Sequence, residues 1–471
     1  MLALPSFTAP AGLGPSAALL VATWGLLTLE ALLIAEVNLA VGEELRSSQF
    51  ASGTRPGPAG EEQMVTLRQM AEHTLGPAAG KGLIACYLAL SGCFLVAYTC
   101  KSTEVLDFFT GGALPPAAAA PAFVGALGGL MYLGGNSTLD KVNQVLTSLI
   151  LGLFLVILGS GLLQVDWAAS AYPPSNWTAA GKAIPIAFLA LLYHDLVPVI
   201  CAYLRHDRAA VRTVLLVGGL VPLAMFLSWE AVALNLLPAY STASTAPIAA
   251  ADGQGSATAM VDLLEAFVRH SPPLVGSAVE AFSGLAVVTC FLGTTLGVSE
   301  TLKTELPLLL ARLQPTLAGA PATMDSAAVA CEPERQQQHQ QRQQQGQGQG
   351  QQPSVGPGVL LSLTLGPPLL LTLARPDLFL GALDVAGAYG LTLLYGLLPP
   401  VMAWRLRQQQ QDPAGRRMDQ PGPLVPGGTV VLVAALGVVG AITIGRVSTD
   451  LGLPVDAVLS QAQHVMGHAA N

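Results

Sequence analysis

The chain has 471 residues, of which 52% are hydrophobic and only 11% charged, less than half the charged share of an ordinary soluble domain. So few charges cannot coat a water-soluble globule of this size. The net charge of −8, with no basic stripe interleaved with aromatics, excludes nucleic acid as a partner.

A hydrocarbon core about 30 Å thick takes about 20 apolar helical residues, and the chain supplies such stretches again and again. In lipid every backbone polar group must be satisfied within the protein, so continuous helices or a closed barrel are the choices, and long apolar windows without strict alternation select helices. The expected fold is therefore all-α and polytopic, with ten full spans and one stub.

The chain opens on an apolar segment, 1–9, that is too short to span and lacks a basic n-region and a cleavage site. It reads as the end of a first membrane helix, with the sequence beginning partway through it, and it carries Leu4 and Pro5. The second span, 15–38, holds two carboxylates, Glu30 and Glu36, the latter beside Asn38 near the span's end. Segment 65–75 places Leu67, Met70, Ala71 and Leu75 on one side and Arg68, Glu72 and His73 on the other, as in a short helix lying on the membrane surface. The third span, 79–103, repeats cysteine every seventh residue (Cys86, Cys93, Cys100), which is small polarisable packing on one helix face. The six cysteines include no CxxC pair, and no metal site or cofactor is expected.

The fourth and fifth spans are expected at 117–135 and 141–164, the sixth at 182–204. Within the sixth, His194 and Asp195 sit near the middle of the membrane, where a charge costs at least about 2.5 kcal/mol and must face protein or water. Pro198 has no amide proton and is expected to free the carbonyl of His194 from helical bonding. A polar pair beside freed backbone is how a discontinuous transporter helix exposes dipoles to its cargo. The seventh span, 211–236, carries Glu230. The eighth, 273–299, contains a run of small residues from Ser283 to Gly297 that suits close helix packing; Glu280 lies near its outer end. Residues 314–356 form a Gln/Gly-rich loop that cannot bury a core. Spans nine to eleven follow at 357–375, 378–404 (with Asp384) and 427–446, then a tail at 447–471. The transporter body is thus 1–313 and 357–446.

With these residues laid out, the chain resembles the hydroxy/aromatic amino acid permeases of tryptophan and tyrosine, within the amino acid–polyamine–organocation superfamily, and especially their plant-like members. The matching pieces are Ala3-Leu4-Pro5, the run Leu32-Leu33-Ile34-Ala35-Glu36-Val37-Asn38, Tyr193-His194 with Val197-Pro198-Val199-Ile200, and Phe282 to Gly297 with Thr301-Leu302. They lie in consistent order over about the first 310 residues. The resemblance implies a LeuT-like inverted repeat of five plus five helices with an eleventh appended. It also implies proton-coupled symport of an aromatic amino acid by alternating access, in a plasma membrane or plastid envelope. By the same resemblance the substrate site comprises Leu4, Pro5, Tyr193, His194, Val197 and Pro198. Asp195, which departs from the amide the resemblance implies at that position, joins them through its place in the sixth span. Proton-coupling candidates are His194, Asp195, Glu36 and Glu230. A membrane-embedded enzyme or channel and a non-transporting permease fragment are the competing readings; neither GxGD, HExxH nor a repeated filter loop occurs in the spans.

The positive charges set the orientation. Sixteen of the 21 Lys and Arg fall in one set of alternate loops, among them Arg46, Arg68, Lys141, Arg208, Lys303 and Arg407, which places those loops on the cytoplasmic side. The sequon Asn176-Trp177-Thr178 then lies outside, opposite the Gln-rich loop. Single cysteines placed at Asn176 and Gln345 are expected to label from opposite faces of the membrane, and labelling of both from one face would overturn this topology.

Overall fold

An apolar chain in lipid satisfies its amides by closing them into helices, and every regular element among the described residues is helical. The computed structural model describes residues 2, 4–51, 65–167, 175–241, 267–317, 356–375, 378–410 and 422–450. The loop expected at 314–356 and the tail at 447–471 fall mostly outside the described residues.

The stub is a short helix, α1 (Leu4–Thr8), followed by α2 (Leu13–Ala51), α3 (Leu67–Leu75) and α4 (Pro77–Thr110). The surface helix α3 begins with a capping box, in which Thr66 accepts from the Gln69 amide and the Gln69 side chain accepts from the Thr66 amide. Gly76, at φ +94°, turns the chain into α4, whose first residue, Pro77, needs no amide partner there.

The loop expected between the fourth and fifth spans is absent. Both spans belong to one helix, α5 (Pro116–Gln164). Phe123 packs edge-on against Phe291 at 5.1 Å, and Gln164 bonds Ser271 at 2.8 Å. A straight α5 would hold Phe123 and Gln164 about 60 Å apart, twice the span between Ser271 and Phe291. The helix is therefore not straight between its two apolar limbs, and Gly134-Gly135 are the weakest helix formers there.

The sixth span is broken into α6 (Trp177–Ala180), a 3₁₀ turn (Gly181–Ala183), α7 (Ile184–Ala190), a second 3₁₀ turn (His194–Leu196) and α8 (Val197–Tyr203). Then come α9 (Arg208–Ser241), α10 (Pro273–Leu317) and α11 (Pro357–Ala374). The tenth span consists of α12 (Leu378–Val385), a π-helical stretch (Ala386–Leu397) and α13 (Leu398–Gln409). Pro399 and Pro400 open α13 and cannot donate to the carbonyls four residues back, which loosens the turn before them. The last helix is α14 (Gly428–Asp450). Among the described residues nine helical stretches are long and apolar enough to cross a membrane, the interrupted tenth span and the stub aside.

Side-chain contacts gather at the two ends of the bundle. At one end Arg68 binds Glu72 and Glu305, His73 meets Glu44 at 2.8 Å, and Arg208 donates to the Gly422 carbonyl. At the other, the Asn176 amide bonds the Ala11 carbonyl at 2.9 Å, and the Trp229 indole donates to the Leu2 carbonyl at 3.2 Å. The largest core cluster joins α2, α8, α9, the π-helical stretch and α13, with Leu33, Ile34, Val197, Val211, Tyr395 and Met402 at its centre. Large apolar side chains such as Leu133, Leu163 and Val430 point outward, a seam suited to lipid.

Glu36 ties one end of the bundle together. Arg407 grips it through two nitrogens, at 2.7 and 2.9 Å, and the Leu424 amide donates to it at 2.9 Å. Removing one partner of such a pair leaves a buried charge uncompensated, at a cost of about 3–5 kcal/mol. Arg407→Met is expected to lower the unfolding temperature in detergent, and Glu36→Gln with Arg407→Met to recover most of that loss. Equal loss in the single and double variants would show that the ion pair is not what joins α2 to α13.

Candidate functional site

The break in the sixth span falls at Leu191–Tyr193, upstream of where Pro198 alone would put it. The last bond of α7 runs from the Leu191 amide to the Ala187 carbonyl at 3.2 Å. The amides of Leu192, Tyr193 and His194 and the carbonyls of Phe188 to Leu192 then make no backbone hydrogen bond. The expectation that Pro198 frees the His194 carbonyl is corrected: that oxygen accepts from the Val197 amide. Pro198 sits in the first turn of α8, where a missing amide proton costs nothing, so it restarts the helix.

Two walls face this break. On one, the Tyr193 hydroxyl bonds Thr28 of α2 at 3.4 Å. Gly219 of α9 leaves the room: a Cβ there would lie 3.0 Å from the Trp24 indole nitrogen and 3.5 Å from the Tyr193 hydroxyl. The indole nitrogen of Trp24 is buried without a partner. On the other wall, Tyr395 of the π-helical stretch donates to Asp195, which also lies within Coulombic reach of Tyr87 and Tyr98 of α4. Tyr98 in turn pairs with Cys290 of α10. Between the walls, the His194 ring lies 5.5 Å from that of Tyr193 and 5.3 Å from that of Tyr395, an aromatic file of three.

Asp195, Leu196 and Cys290 are exposed although they lie in mid-span. Asp195 is held by the fully buried Tyr395, and Cys290 by Tyr98. These partners set Asp195 and Cys290 on the side of the break that faces α4 and α10. Unpaired amides and carbonyls, one carboxylate and a file of rings meet there. Such a set can hold a small molecule that bears an ammonium, a carboxylate and an aromatic ring.

The structure brings Leu4 to this region: it packs in one cluster with Ala187, Phe188 and Leu191 of the sixth span. Pro5 is buried beside it. His194 is fully buried, with both ring nitrogens unpartnered. Val197 and Pro198 are buried below the break, Val197 within the core of α2 and α9. Two coupling candidates lie elsewhere. Glu36 is saturated by Arg407 and the backbone, and Glu230 accepts from Thr8 of the stub near the outer end. The side chain of Asp384 is outside the described residues. The small-residue run of the eighth span does pack closely, Gly284 against Val105 and Gly297 against the Tyr87 hydroxyl. Sequence reasoning missed Tyr395, Tyr98, Trp24 and Cys290, which are common residues of apolar spans and are singled out only by their partners in the fold; the adjacent prolines and glycines of the tenth span were the one hint of irregular backbone near Tyr395.

Residues 1–312 and 349–444 match the tryptophan/tyrosine permease family. The chain is 26% identical over 304 residues to "Tyrosine-specific transport system 1" of Haemophilus influenzae, covering 64% of this chain and 69% of that protein. It is 26% identical over 311 residues to "Tyrosine-specific transport system 2" of the same organism, with the same coverage. It is also 27% identical over 165 residues to the "Tryptophan-specific transport protein" of Pseudomonas aeruginosa, covering 33% of this chain and 38% of that one.

If Cys290 lines an internal space, a small membrane-permeant thiol reagent reaches it in the folded protein while the buried Cys100 and Cys201 stay unmodified. Peptide mapping by mass spectrometry reads the order of modification. Modification of Cys201 ahead of Cys290 would close the proposed space.

Proposed function

The chain belongs to the tryptophan/tyrosine permease family, and on that premise we propose how it moves an aromatic amino acid across the plasma membrane or a plastid envelope. It is a multi-pass membrane transporter, not an enzyme. The observation that carries the site is the unpaired backbone at Leu191–Tyr193, set between the wall of α2 and α9 and the wall of α4 and α10.

A zwitterionic amino acid needs acceptors for its ammonium and donors for its carboxylate. The free carbonyls at the end of α7 supply the first, and the free amides of Leu192 to His194 supply the second. Asp195 adds a negative charge for the ammonium. The aromatic file of Tyr193, His194 and Tyr395 gives the substrate ring a surface on which to stack. Alternating access follows from the division of contacts. The break is bonded on one side to α2 and on the other to the π-helical stretch, so a shift of one wall against the other changes the groups offered to the substrate. The coupling ion in this reading is the proton, taken up with substrate and released with it. Titratable groups, His194 and Asp195, lie at the depth of the break.

Uptake of tryptophan and tyrosine into proteoliposomes tests the reading. Tyr193→Ala removes a stacking surface worth about 0.5–1.5 kcal/mol beyond burial and is expected to weaken apparent affinity several-fold at constant protein content. His194→Ala should impair both affinity and coupling, whereas Cys93→Ala, on a packing face of α4, should leave transport unchanged. Uptake should rise as external pH falls and ignore the replacement of sodium. Parent-like transport by both Tyr193→Ala and His194→Ala would remove the break from the site, and a sodium requirement without pH response would overturn the coupling ion.

A further inference from the structure

Four carboxylates sit within the spans at or around the break, and three of them have partners. Glu36 is held by Arg407, Asp195 by Tyr395 and Glu230 by Thr8. Glu30 of α2 has none: its side chain is 0% exposed, and neither carboxyl oxygen has a hydrogen-bond partner. It lies two residues past Thr28, about 3 Å along the helix axis. Thr28 bonds Tyr193, so Glu30 stands at the depth of the break.

The elements packed on α2 are α3, α6, α7, α8, α9, α13, the second 3₁₀ turn and the π-helical stretch. Their charged groups near this level are engaged elsewhere: Glu230 of α9, Arg407 of α13, and Asp195 with Tyr395, as above, while Arg68 of α3 binds Glu72 and Glu305. The Cys201 thiol of α8 is buried in the apolar cluster, and the buried His194 ring of the 3₁₀ turn is oriented to the Leu27 backbone of α2, not to a carboxylate. α6 and α7 carry no titratable side chain. An ionised carboxylate at Glu30 would have neither water nor a cation to stabilise it, so in this closed arrangement Glu30 holds its proton. Water admitted by opening of the bundle would favour its ionisation.

We propose that Glu30 is the proton-binding site of the transport cycle. It is protonated from the side on which the bundle opens, stays neutral while it is sealed and releases the proton on the other side. Glu36 cannot serve in this way, because Arg407 and the Leu424 and Val425 amides occupy both of its carboxyl oxygens; Glu230, near the outer end, is bound to the stub. The inference rests on the proton-coupled reading above and assigns its site to a residue outside the sixth span.

The test compares the parent chain with Glu30→Gln, which keeps the shape of the neutral acid, in proteoliposomes with matched protein content. Two readouts are taken for a radiolabelled aromatic amino acid: accumulation driven by an imposed pH gradient, and counterflow without any gradient. Glu30→Gln is expected to retain counterflow and to lose both gradient-driven accumulation and its dependence on pH. The assignment is overturned if Glu30→Gln still accumulates substrate with the parent's pH response, or if it loses counterflow as well, which marks Glu30 as packing. A parent chain that exchanges substrate but ignores the pH gradient sinks the proton reading and this assignment together. A parent chain without counterflow sinks the transport reading itself.

Discussion

Everything in this structure turns on the lack of water in the membrane for backbone amides and carbonyls. An unbroken helix removes the problem, and most of the chain does so. The sixth span does not: at Leu191–Tyr193 it leaves a run of carbonyls and amides without backbone partners. Such a segment survives at membrane depth only where protein or an internal aqueous space surrounds it. The neighbours are arranged accordingly. Thr28 and the cleft at Gly219 receive Tyr193, Tyr395 receives Asp195, and the His194 ring is enclosed between two tyrosines.

That arrangement links stability to function. The groups that make the break tolerable are those a substrate with one ammonium, one carboxylate and one ring would use. Permanent charge is paired between helices elsewhere, in Glu36 with Arg407, Arg68 with Glu305 and His73 with Glu44. Those charges are compensated and fixed. The groups at the depth of the break are instead neutral rings, hydroxyls and carboxyls without a cation, which can exchange partners when the walls move.

The tenth span shows the same economy by a different route. Two successive prolines remove amide donors, the preceding turns widen into a π-helical stretch, and this places Tyr395 against Asp195 and His194. Irregular backbone in the sixth and tenth spans thus converges on one point. Neither irregularity would hold in lipid alone.

The sequence by itself determined the class, an all-helical polytopic membrane protein, and supplied the expectation of its orientation. Apolar runs of about 20 residues and the bias of Lys and Arg follow from transfer energies that act locally, residue by residue. It also marked the sixth span, because His194, Asp195 and Pro198 are costly there whatever surrounds them. Only the tertiary structure decided what each polar residue does. Glu36 and Glu30 lie on one helix six positions apart, and the sequence offered Glu36 and not Glu30 as a coupling candidate, yet Glu36 meets Arg407 from a helix 371 residues away and Glu30 has no hydrogen-bond partner. Likewise Pro198 restarts a helix instead of freeing a carbonyl, and α5 runs through both expected spans without a loop, because hydrogen-bond partners and close packing are set by distant segments. The partner of a buried charge is a property of the fold, and pattern along the chain does not carry it.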